Sequence, residues 1–232
     1  MADVEFTDDQ VWAAIDAQRL RTADLLSELK RSDWDCPSLC FGWTVRDVAA
    51  HLTLQQLTIG DVLRLALRHP GVLGGVNRVI RESARRRAGM PTDEMIAAIR
   101  AMVGSRRHNI GVTPAETLVD ILVHGQDIAI PLGRDLEMPT EASAFAATRV
   151  WSTVSGRWRV PYRGDGKSRV FRRVPSEEFR FRATDIDWAV GSGPEVTGPI
   201  DAILLLLTGR RAALPRLGGP GIDELRRRAA VA

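Results

Sequence analysis

Residues 113–132 read TPAETLVDILVHGQDIAIPL, and the rest of the chain can be organised around them. Thr113 suits a helix N-cap, Pro114 suits the first helical position, and Glu116 three residues past the cap completes a capping box. Pro131 and Gly133 end the segment. Asp120, His124 and Asp127 fall on one stripe of this helix. Side chains three and four apart are neighbours, so Asp120 and His124 can hold one object together. A divalent metal is the object this reading expects, with His51 of an earlier helix as third donor.

Outward from this stretch the pattern stays helical. Thr7 to Arg31 carries an interrupted apolar stripe of Val11, Ile15, Leu25, Leu26 and Leu29. A loop with Pro37 and Gly42 follows, and Thr44 with Asp47 makes a second capping box. The helix it opens buries Val48, Leu52, Ile59, Val62 and Ala66, runs until Pro70, and turns His51 inward beside Val48 and Gln55. Further helices are expected over 72–87, from Pro91 to about Arg107, and over 140–151. From 155 to 168 glycine and proline among basic residues read as a linker or long hairpin. Beyond it, Glu178-Phe179-Arg180-Phe181-Arg182-Ala183 alternates like a half-exposed strand. Strands over 187–190 and 195–197 and helices over 198–207 and 222–230 complete the chain. The expected fold is therefore mainly α plus α+β: an up-and-down helix bundle over 1–154, then a small α+β domain over 155–232.

Composition sets the broad class. With 44% hydrophobic and 26% charged residues in 232, the chain reads as an ordinary soluble globular protein. The acidic start MADVEFTDDQ lacks the apolar core of a secretory signal, and Ile203 to Leu207 is too short to span a bilayer. A cytoplasmic location and no membrane partner are expected. The formal charge is only +3, yet Arg64, Arg68, Arg78, Arg81, Arg85, Arg86 and Arg87 crowd one region. Without interleaved aromatics or a recognition motif they read as a solvated face or a rim for anionic substrates, and no nucleic acid is expected. No Walker loop, G-x-G-x-x-G or G-x-S-x-G is present, and Gly191-Ser192-Gly193-Pro194 opens onto a strand, which disfavours a phosphate loop.

Of the four histidines, His69 and His108 read as solvated residues at helix ends. His51 and His124 sit among apolar residues, where two readings stay open: hydrogen-bonded core histidines, or, with Asp120, a two-His, one-carboxylate set that holds zinc with an open position. Asp127 is either an acceptor that orients a ligand histidine or an exposed carboxylate near the helix end. Cys36 and Cys40, spaced C-x3-C with no second ligand pair, read as small residues packing a loop.

Three stretches together resemble the mycothiol-dependent maleylpyruvate isomerase family. They are Cys40-Phe41-Gly42-Trp43-Thr44-Val45-Arg46-Asp47-Val48-Ala49-Ala50-His51-Leu52, then Asp120-Ile121-Leu122-Val123-His124-Gly125-Gln126-Asp127-Ile128-Ala129, then Ala183 to Trp188 continuing through Gly191 to Arg211. The resemblance implies a DinB-like bundle followed by a domain of sterol-carrier-protein type. It implies zinc on His51, Asp120 and His124, with Asp120 one methylene shorter than the family's Glu. It also implies an assisting arginine from the C-terminal domain, for which Arg210 is the candidate and Arg211 the alternative. The expected function is that of a metal-dependent enzyme, with zinc as its metal and mycothiol as thiol cosubstrate. It would activate this low-molecular-weight thiol against a small-molecule electrophile, as isomerase or S-transferase. The alternative is a non-catalytic metal- or partner-binding protein on the same bundle.

Overall fold

The interrupted stripe of the first helix marks where the bundle places its polar interior. In a computed structural model, which describes residues 6–57, 76–109, 111–154 and 178–231, helix α1 spans Asp8–Ser27. Its buried face runs Val11, Trp12, Ile15, Gln18, Arg19, Thr22, Ala23, Leu25 and Leu26. Gln18, Arg19 and Thr22 fill the gap in the apolar pattern and are fully buried. Burying such groups is tolerated when they find partners, and Arg19 does so in the candidate centre described below.

After a 3-10 turn over Arg31–Asp35, helix α2 spans Val45–Leu52. Its capping box forms as expected: Thr44 N donates to Asp47 Oδ2 at 2.9 Å and Asp47 N to Thr44 Oγ1 at 3.2 Å. The helix stops sooner than its apolar periodicity suggests. Thr53 Oγ1 donates back to Ala50 O at 2.7 Å, Leu54 N bonds His51 O, and Leu57 N is captured by Asn109 Oδ1 at 2.7 Å. These contacts close the last turn and redirect the backbone. The sequence-expected continuation from 58 lies outside the described residues.

Helix α3 covers Val76–Arg87, and α4 covers Thr92–Arg100, ending well before Arg107. Helix α5, Pro114–Ala129, is the stretch quoted first, and Glu116 Oε2 accepts from Thr113 N at 2.7 Å. Helices α1 and α5 pack along each other, α1 also packs on α4, and α2 packs against both α3 and α5. Helix α2 is thus held beside α5, bringing their polar side chains together.

Helix α6, Thr140–Val154, precedes a three-stranded sheet of β1 (Arg180–Ala183), β2 (Ala189–Gly191) and β3 (Glu195–Gly198). The order is β2-β1-β3, with β1 antiparallel to β2 through Phe181↔Val190 and parallel to β3 through Phe181↔Val196. Helices α7 (Ile200–Leu207) and α8 (Ile222–Val231) follow. Gly191 and Gly193 have φ of 80° and 114°, and a Cβ on them would lie 2.2 Å from Phe179 O and 2.3 Å from Glu178 O. The glycine-rich turn is therefore a close backbone approach, not an anion loop.

The described residues group into two compact units, Asp8–Glu137 on the one hand and, on the other, the residues from Met138 onward together with Phe6 and Thr7. The expected boundary falls after 154, whereas compactness gathers α6 with the later elements. The reason is packing: α6 lies along α7, Trp188 Nε1 donates to Thr148 Oγ1 at 2.8 Å, and Trp151 meets Phe181 edge-on at 6.2 Å. Among the described residues no helix is long and apolar enough to cross a membrane.

Candidate metal centre

Helix α2 delivers His51 and helix α5 delivers Asp120, His124 and Asp127 to one cluster inside the first unit. Asp120 Oδ1 lies 3.3 Å from His51 Nε2 and 3.3 Å from His124 Nε2. The two imidazoles approach with ring centroids 4.9 Å apart at 75°. Trp43 meets the outer side of His51 edge-on at 5.6 Å, which limits how far that ring can turn.

Two separations distinguish what each contact is for. A neutral N–H···O bond prefers about 2.9–3.0 Å. Two donors bonded to a tetrahedral zinc at its usual nitrogen and oxygen distances stand about 3.3 Å apart. The Asp120 contacts match the second value. On the other side of the same imidazole, His124 Nδ1 lies 2.8 Å from Asp127 Oδ2, a hydrogen bond, and Asp127 is fully buried. Asp127 is thus placed as an acceptor rather than as an exposed carboxylate. His51, Asp120 and His124 each offer one donor atom within 4.8 Å of the others, so their spacing fits one divalent ion. Asp120 is the most open of the three, at 32% side-chain exposure against 15% and 14%.

Charge follows from the same geometry. Burial opposes ionisation of Asp120, but His51 and His124 together outweigh it and hold the carboxyl well below its usual range. Burial likewise lowers His124, yet Asp120 and Cys40, with hydrogen bonds to Asp120 and Asp127, raise it well above the ordinary imidazole value. The imidazole and the carboxylate therefore favour each other's charged forms, and a ligand ion would have to displace the imidazole's proton.

Three residues here take roles that the sequence reading did not assign. Cys40 Sγ donates to Asp127 Oδ2 at 3.0 Å and lies 3.6 Å from His124 Nδ1, because its loop docks on α5 through Leu39 N to Asp127 O at 3.1 Å. Cys40 does more than pack a loop. Cys40, His124 and Asp127 are themselves close enough to suggest a ligand set. Asp127 Oδ2, however, lies at hydrogen-bond distance from both others, 2.8 Å from His124 Nδ1 and 3.0 Å from Cys40 Sγ, shorter than the roughly 3.3 Å (nitrogen–oxygen) and 3.5 Å (sulfur–oxygen) of donors on one tetrahedral zinc, and only the 3.6 Å from Cys40 Sγ to His124 Nδ1 is long enough. Gln55 and Arg19 are the other two. Gln55 Nε2 donates to Asp120 Oδ2 at 2.8 Å, and Arg19 Nε and Nη2 each lie 3.4 Å from Gln55 Oε1. Gln55 stands four residues after His51, a spacing that could have flagged it.

Arg210 belongs to the second unit, buried, with Nη1 donating to Thr208 O at 2.7 Å, and Arg211 opens the 3-10 turn after it. His108 is half-buried and stacks on Trp12 at 6.3 Å, so it is less solvated than its position suggests. His69 lies outside the described residues. In the arginine-rich region Arg85 and Arg86 are exposed, whereas Arg87 Nε donates to Thr53 Oγ1 at 3.2 Å.

Residues 15–119 match the family model described as the mycothiol maleylpyruvate isomerase N-terminal domain. Two similar solved structures are both crystal structures of the mycothiol-dependent maleylpyruvate isomerase, one of them of a histidine-to-alanine mutant. The mutant aligns with a TM-score of 0.60 at 11% identity, and the other with 0.54 at 14%. Each alignment covers 91% of this chain and 93% of the solved one, so the likeness is one of fold over nearly the whole length. A search of curated proteins finds no match. Residues 15–119 thus carry a domain of the mycothiol maleylpyruvate isomerase N-terminal type.

Proposed function

We propose that the chain is a metal-dependent enzyme that activates a low-molecular-weight thiol such as mycothiol for addition to an electrophilic substrate. The observation that carries this reading is the position of Asp120 Oδ1, 3.3 Å from Nε2 of both His51 and His124, with the carboxylate side open to solvent. The set of two imidazoles and a carboxylate suits zinc. Held there by three protein donors, zinc supplies a Lewis acid that favours the thiolate over the thiol.

The chain's own residues divide the remaining work. Asp127 accepts the proton of His124 Nδ1, which leaves Nε2 as the donor nitrogen. Trp43 limits rotation of His51. Arg210, with Arg211 as alternative, is proposed to assist from the second unit, whose sterol-carrier-protein type is inferred from sequence resemblance. A thiolate that adds to a cis double bond lets that bond rotate, and eliminating the thiol leaves the trans product. A thiolate that stays attached makes the same site an S-transferase.

The test is turnover of metal-loaded protein with mycothiol and maleylpyruvate, monitoring both the isomerised product and the thioether. Catalysis above the rate with mycothiol alone, lost in Asp120→Ala, is the expected result. Metal-loaded protein that adds nothing to the thiol's own rate would favour the non-catalytic binding reading.

A further inference from the structure

Asp120 uses one carboxylate oxygen for both histidines, and the other is occupied. Oδ2 accepts from Gln55 Nε2 at 2.8 Å. An amide can be turned either way, and its surroundings decide which. Here Gln55 Oε1 faces the forked Nε and Nη2 of Arg19, at 3.4 Å each. Turning the amide over would set its NH2 against a guanidinium and its oxygen against a carboxylate. Both contacts would be repulsive, so the orientation is determined by charge.

Arg19 is fixed in its turn. It is fully buried, donates to Met102 O at 2.9 Å, and pairs with Asp16 Oδ1 at 3.3 Å. A buried guanidinium that stays charged needs such partners. The connection therefore runs Asp16–Arg19–Gln55–Asp120, from α1 through the turn after α2 to α5.

Resting on the proposed metal site, we propose that Gln55, oriented by Arg19, is a positioning residue that makes Asp120 a one-oxygen ligand. With Oδ2 tied to an amide donor, only Oδ1 is free to meet an ion shared with His51 and His124. The coordination number then stays low and a position remains for the thiol. The relay also compensates for the short side chain. Asp has fewer rotamers than Glu, and a fixed Oδ2 sets the remaining torsion so that Oδ1 reaches the histidines. Without Gln55 the carboxylate is free to swing and to bind through both oxygens.

The test uses cobalt(II) as spectroscopic probe on the full chain. Visible absorption and affinity are measured for wild type, Gln55→Leu and Gln55→Glu, each checked for folding by circular dichroism and by melting in chelator. Wild type should show the intense absorption of a four-coordinate ion. Gln55→Leu should bind cobalt roughly 10–100-fold more weakly, as loss of a ligand's partner typically does, with a weaker spectrum of higher coordination. Gln55→Glu places a carboxylate against Asp120 Oδ2 and should fail to restore the wild-type spectrum. Folded Gln55→Leu with unchanged affinity and spectrum would overturn the proposal while leaving the metal site standing. Wild type that takes up no cobalt would overturn both. If Gln55→Leu does not fold, the Gln55→Glu spectrum decides, and a wild-type spectrum there would also overturn the proposal.

Discussion

The proton on His124 Nδ1 decides what the other ring nitrogen can do. Because the fully buried Asp127 accepts that proton at 2.8 Å, Nε2 faces Asp120 with its lone pair available once the ring is neutral. In the metal-free protein the ring favours its charged form, and a pH dependence follows. His124 is raised above its ordinary value, so its contribution to stability is fully present below that value and is lost as pH rises through the raised one. Asp120 is lowered, so its contribution is present above the ordinary carboxylate value and is lost as pH falls through the lowered one. The metal-free protein should gain most from the pair between the ordinary carboxylate and the ordinary imidazole values, and should weaken on the alkaline side as pH rises toward His124's raised value. Metal uptake at neutral pH should displace about one proton, since a ligating imidazole is neutral. Zinc titration calorimetry in two buffers of different ionisation enthalpy reads this release. Identical apparent enthalpies in both buffers would contradict it.

At the scale of elements, the helix that delivers Asp120 and His124 is legible from its ends, since Thr113, Pro114 and Glu116 act locally and their effect does not depend on distant packing. Thr44 and Asp47 start the His51 helix for the same reason. The end of that helix is not legible. It depends on Asn109 capturing Leu57 N from more than fifty residues away, a contact no local pattern encodes. Cys40 was hidden likewise, since the docking of its loop on Asp127 is long-range. Arg19 was hidden for a different reason: a buried polar group interrupts an apolar stripe, and the interruption itself reads only as weakness of the helix, whereas Gln55 was legible as a neighbour of His51 but its bond to Asp120 was not. In the second unit the first strand was visible through alternation, and Gly191 is the residue the following turn depends on. With φ at 80° and Phe179 O in the place of a Cβ, Gly191→Ala should destabilise this unit by about 2 kcal/mol or more, seen as a lowered melting temperature. An unchanged melting curve would show that the turn yields more easily than its geometry implies.

At the scale of the whole molecule, the chain joins a helical unit that carries the candidate centre to a smaller unit of sheet and helices that carries Arg210. Each unit has its own buried apolar core, with Ile15, Leu52, Met95, Leu118 and Ile121 in the first and Phe179, Phe181, Val196, Ile203 and Leu204 in the second. The ligand set draws on α2 and α5 alone, so metal binding is expected to be a property of the first unit. His51, Asp120 and His124 are expected to bind one ion together. The direct measurement is metal content of purified protein after zinc loading and desalting, for wild type, His51→Ala, His124→Ala and Cys40→Ala. The account predicts about one zinc per chain in wild type and in Cys40→Ala, and little in either histidine variant, because three donors are the minimum for an open zinc site. Wild type that retains no more zinc than the histidine variants would contradict it.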